Sequence, residues 1–219
     1  MIVVGLGIVA VGLMVWLQVV DVRRIKRIRR DAVISAQGAL TDVEVVQEGI
    51  AYPTLHGRCG AHAAKAELIV DTVTMRQLPR LWLAVTVKCP TGVSVPVDIL
   101  LRPLPTDIVS PGLRFRYAHP VPPDWPAHAR IATPERGPLP PLRDLAALES
   151  VVLQPETKSV LVTPRGVRIV TEVARGDVAP YRVTRRANFR FEFTESRLRR
   201  VLGDAVAVAD DVNRDRVEA

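Results

Sequence analysis

This chain is poor in cysteine and in aromatic rings. Its two cysteines, Cys59 and Cys89, are too few for a disulfide framework, so a small disulfide-stapled fold is excluded. It holds only three Trp, three Tyr and four Phe, while Val and Arg are abundant. That balance is a Val-rich, β-forming composition. The common catalytic signatures are missing too. There is no Gly-x-x-x-x-Gly-Lys phosphate loop, no Gly-x-Ser-x-Gly elbow and no His-Glu-x-x-His, so no catalytic residue is assigned from motifs.

What is there begins at the N-terminus. Ile2 to Val20 form an uncharged apolar run in which Gln18 is the only strongly polar residue. Nineteen residues of helix span roughly 28 Å at about 1.5 Å per residue, close to the ~30 Å of a hydrocarbon core. A cleaved signal peptide carries its positive charge before the apolar stretch, and here the charge follows it. The expectation is an uncleaved single-pass anchor. Positive flanks stay on the cytoplasmic side, which predicts a plasma (inner) membrane protein with its N-terminus out and its C-terminal domain in the cytoplasm. Both cysteines would then be reduced. Gly5, Gly7 and Gly12 form no Gly-x-x-x-Gly pair, so the usual helix-dimer signal is missing and the oligomeric state stays open.

The basic flank holds Arg23, Arg24, Lys26, Arg27, Arg29 and Arg30. From Asp21 to Asp31 there are six basic and two acidic residues, +4 of the chain's +7, which leaves +3 elsewhere. The pI of about 10.1 therefore reflects a topology signal more than a nucleic-acid surface, and no nucleic-acid partner is expected. The flank would also attract anionic lipid headgroups. The expected partners are the lipid bilayer and membrane proteins.

The remaining chain reads as an α+β domain: a mainly antiparallel sheet with a short helix and a C-terminal helix. Residues 1–30 form the anchor and flank, 31–52 a connecting segment, 53–212 the domain and 213–219 a frayed tail. Apolar residues alternate over Leu81–Cys89 and Val93–Leu101, separated by Cys89-Pro90-Thr91-Gly92. That spacing predicts a hairpin with a three-residue turn, pairing Cys89 with Val93 and Val87 with Val95. The same device at Thr163-Pro164-Arg165-Gly166 sets Leu161 opposite Ile169 and Lys158 opposite Glu172. A third strand is expected over Tyr181–Phe193, with polar residues at every even position. Eleven of the eighteen prolines lie between Pro103 and Pro141; this stretch reads as an irregular connection between two lobes, with one short edge strand through Leu113, Phe115 and Tyr117. A short helix from about Pro141 to Leu153 follows. The chain closes on a helix from about Glu195 to Val212, capped by Thr194, with Leu198, Val201, Leu202, Ala205, Val208, Ala209 and Val212 on one stripe.

Two clusters merit chemistry. His56, Cys59 and His62, with Cys89 as a fourth donor, are spaced as zinc ligands are. On one continuous strand, however, Cys59 would face away from His56 and His62, so no metal and no cofactor is expected. Arg182, Arg186 and Arg190 share the solvent face of the third strand and suit an acidic partner or lipid headgroups. Asp71 and Asp98 lie near apolar strands, and both read as surface residues.

The anchor with its basic flank, Leu55-His56-Gly57-Arg58-Cys59-Gly60, Leu78-Pro79-Arg80-Leu81-Trp82-Leu83 and Thr163-Pro164-Arg165-Gly166-Val167 together resemble bacterial single-pass membrane proteins with a cytoplasmic α+β domain of unknown function. The resemblance implies no activity for any residue. The expected function is a membrane-anchored binding or scaffold domain, an accessory subunit of a membrane complex. The alternative is a membrane-tethered enzyme, which would show a deep polar pocket with convergent titratable groups.

Overall fold

A computed structural model describes residues 2–72, 78–103, 109–137, 139, 142, 145–177 and 189–218, without the side chains of 2–10, 112, 113 and 215–218. Alternating apolar residues do build a large sheet. Among the described residues nine strands run β1 (Thr41–Val46), β2 (Thr54–Cys59), β3 (His62–Asp71), β4 (Arg80–Lys88), β5 (Val97–Leu100), β6 (Tyr117–His119), β7 (Arg130–Thr133), β8 (Thr157–Thr163) and β9 (Gly166–Arg175). They lie side by side in the order β1-β2-β3-β4-β9-β8-β5-β7-β6, and every pair is antiparallel. The segment read as a connection contributes edge strand β1, and the proline-rich stretch contributes β6 and β7 to the same sheet.

Among the described residues three α-helices accompany it: α1 (Ile2–Ile34), α2 (Ala146–Leu153) and α3 (Glu195–Glu218). The apolar stripe of α3 is legible in its spacing, and the structure buries all seven of its residues. Thr194 caps the helix, its Oγ1 accepting from Arg197 N at 3.2 Å. The stripe packs across β4 and β9, joining Leu83, Val85, Ile169 and Val160 in one core. A side chain such as Leu202, fully buried here, stabilises by about 1.5–3 kcal/mol relative to exposure.

The first hairpin does not form as its turn suggests. Gly92 does take a left-handed φ of 67°, yet β4 pairs with β3 and β9 while β5 pairs with β8 and β7. The later β8–β9 hairpin is inserted between β4 and β5, and the chain from Cys89 onward passes over its tip. Cys89 N donates to Arg165 O at 3.1 Å, and Thr91 Oγ1 donates to Thr163 O at 2.5 Å. The local turn chemistry is satisfied without the two flanking strands pairing. The second hairpin forms, but one residue out of the expected register: Thr163 opposes Gly166, Leu161 opposes Arg168 and Val160 opposes Ile169. Lys158 falls in an irregularity of that pair and its Nζ donates to Arg102 O at 2.8 Å. Glu172 instead pairs with Arg80 and Arg175.

The membrane expectation is overturned. The apolar run is helical, but α1 continues without a break through the basic flank. Among the described residues no helix is long and apolar enough to cross a membrane. The apolar run ends at Val20. Asp21 and six basic residues occupy the next ten positions. The single-pass anchor, the inner-membrane location and the N-out topology are withdrawn with it.

Candidate functional site

The elements that form the site are β8, β9 and α3. After α2 ends, Gln154-Pro155-Glu156 turns the chain into β8. Glu156 is pinned through its backbone, since Glu172 N donates to Glu156 O at 2.8 Å. Opposite it, the capped first turns of α3 present Ser196, Arg197 and Arg200. Positions three apart share one helix face, so both arginines look toward the same turn. Glu156, Ser196, Arg197 and Arg200 line an open pocket of about 440 Å³.

Its geometry is fastened from below. Arg197 Nη2 donates to Glu172 O at 2.6 Å, which ties the guanidinium to β9. Its Nε is buried without a hydrogen-bond partner among the described residues. Arg200 is held by two acceptors, Gln154 Oε1 at 3.0 Å and Glu156 Oε1 at 2.9 Å. Gln154 is itself oriented by Asp204, with Nε2 to Oδ2 at 3.4 Å. Burial alone would raise the Glu156 carboxyl, but a backbone N–H and the guanidinium groups of Arg200 and Arg197 outweigh it and hold the group below the usual carboxylate range. Burial and then the like charge of Arg200 lower Arg197, with Glu156 opposing; a guanidinium stays charged through such shifts. The pocket thus carries two fixed positive charges and one negative charge. A carboxylate kept ionised in this way is a poor proton donor near neutral pH. What the arrangement can do is bind an anion.

Thr133 and His119 look more like catalytic partners. His119 Nε2 lies 2.9 Å from Thr133 Oγ1, the spacing of a nucleophile and its base. However, the Thr133 hydroxyl donates to Glu135 O at 2.8 Å, so the imidazole is the donor of the pair. Thr133 is also buried, and the pair serves to hold β6 to β7.

The residues singled out in the sequence are placed as follows. Cys59 and His62 face each other across the β2–β3 hairpin, whose turn at Gly60-Ala61 reverses the chain; His56 opposes Lys65. The one-strand reading, with Cys59 facing away from His62, is corrected by that turn. Cys89 is buried beyond the end of β4, and burial, then Asp210, push its thiol up. Among the described residues no three His, Cys, Asp or Glu gather to hold a metal. Arg182 and Arg186 lie outside the described residues. Arg190 is exposed and 3.7 Å from Asp177 Oδ2. Of the basic flank, Arg29 is structural: its Nη1 donates to Ile50 O at 2.6 Å and its guanidinium sits 5.0 Å from the Tyr52 ring centre. Arg23, Arg24, Lys26, Arg27 and Arg30 are exposed on α1.

Asp71 and Asp98 are buried, against expectation. Asp71 accepts from Trp82 Nε1 at 3.4 Å and Asp98 from Ser110 Oγ at 2.5 Å. β4, β9 and β8 lie between their strands, a separation of about 19 Å at strand spacing, so the two carboxylates do not form a pair.

Glu156, Ser196, Arg197 and Arg200 are not among the residues the sequence marks as functional. The spacing of Arg197 and Arg200 was available, but it reads equally as the solvated side of a helix. Only the β8–β9 register brings Glu156 opposite. No family model, no curated protein and no solved structure matches this chain.

Proposed function

We propose that the domain works by binding, as an accessory or scaffold subunit, and that the Arg197–Arg200 pocket takes an anionic group of its partner. The observation that carries this reading is the pair of guanidinium groups, each oriented by its own acceptors, on the wall of one open pocket. Planar guanidinium groups suit carboxylate and phosphate oxygens, which they bind by two parallel N–H bonds. The pocket is open and its carboxylate is ionised, which favours recognition over proton transfer.

The test is titration of the full chain with acetate and, separately, inorganic phosphate, following the arginine Nε–H signals by NMR. The expected result is a saturable shift of the Arg197 signal with at least one of the two anions. In Arg200→Gln the affinity should fall about tenfold, the scale of one charge-assisted hydrogen-bonded contact. No saturable shift with either anion would end the proposal.

A further inference from the structure

We infer that the Arg197–Arg200 pocket selects a single carboxylate beside an N–H donor, as on an acidic peptide or a chain end, over a doubly charged phosphate, and that Glu156 sets this choice. The inference rests on the binding reading above and adds the class of ligand.

Charge comes first. Glu156 lines the same space as Arg197 and Arg200 and is held ionised by them. Two cations and one anion leave a surplus of a single positive charge. A carboxylate neutralises that surplus. A phosphate dianion overshoots it and meets the Glu156 charge at close range, where repulsion is least screened.

Hydrogen bonding points the same way. Arg200 uses one N–H of Nη1 on Gln154 and one of Nη2 on Glu156, which fixes its plane and leaves three of its five N–H donors. Arg197 spends Nη2 on Glu172 O, which fixes the plane in which its remaining donors lie. Glu156 has acceptor capacity beyond one bond, since a carboxylate offers about four lone-pair sites. A peptide supplies the matching donor, a backbone N–H a few bonds from its carboxylate. The hydrogen phosphate dianion has a single O–H, on the same phosphorus that carries both of its charges.

The experiment uses the full chain and three probes: acetyl-Gly-Gly with a free carboxylate, the same compound as its terminal amide, and inorganic phosphate above neutral pH. The free acid should bind about threefold or more tighter than phosphate, and the amide should not compete with it. Glu156→Gln should raise phosphate affinity about three- to tenfold, the size of one like charge removed at short range. Glu156→Ala provides the same charge change if the Gln variant does not fold. Tighter binding of phosphate by the wild type, or phosphate affinity unmoved in the folded variant, overturns the inference while leaving the binding reading intact. Failure of both anions to bind overturns both.

Discussion

Glu156 is held by a backbone bond to β9 and by two arginines of α3, and its ionisation is therefore linked to folding. Its carboxyl is lowered in the folded chain from about 4.3 in an unfolded one. The unfolded state takes up the proton first as pH falls, so the stabilisation is present above about pH 4.3 and is lost as pH drops through the folded value. Thermal unfolding of wild type and Glu156→Gln across the acid range should show a shallower acid decline in the variant. Parallel declines would mean that the Arg200–Glu156 pair contributes nothing, as for many exposed pairs. At this scale the sequence was only partly informative. Leu198 and Leu202 were legible as core because a helix face repeats locally. Asp71 and Asp98 were not legible as buried, because only the tertiary fold places Trp82 Nε1 and Ser110 Oγ beside them.

Among the elements, the β8–β9 hairpin governs the centre of the sheet. Gly166 has φ near 153°, and a Cβ there would lie 2.1 Å from Val87 O on β4. Both facts demand glycine. Gly166→Ala should lower stability by about 2 kcal/mol or more, combining a disfavoured φ with a backbone clash. Denaturant unfolding measures this, and a loss below about 0.5 kcal/mol would mean that β4 and β9 separate easily. The strands β4 and β8, the turn at Pro164-Arg165 and the helix α3 were all legible, because alternation, turn chemistry and capping act over a few residues. The partner of β4 was not. Pro90-Thr91-Gly92 makes a good turn, and nothing within Leu81–Leu101 shows that a hairpin some seventy residues later in the chain will claim the space between its two strands.

For the whole molecule, the order β1-β2-β3-β4-β9-β8-β5-β7-β6 puts β4 and β9 inside and β1 and β6 at the edges. Helix α3 covers the inner strands. Hydrogen exchange should follow that order, with β4 and β9 amides slowest and those of β1 faster by about 100-fold or more. Uniform protection across the sheet would show instead that it opens only as one unit. The inserted hairpin also bears on the order in which the chain is made. When β4 and β5 have been synthesised, the strands that belong between them do not yet exist, and the helix that covers β4 and β9 comes later still. Contacts so distant along the chain close slowly. The first half of this protein must therefore wait, with Leu83, Val85 and Ile99 unsheltered, for Thr157–Arg175 and then Glu195–Glu218 to arrive.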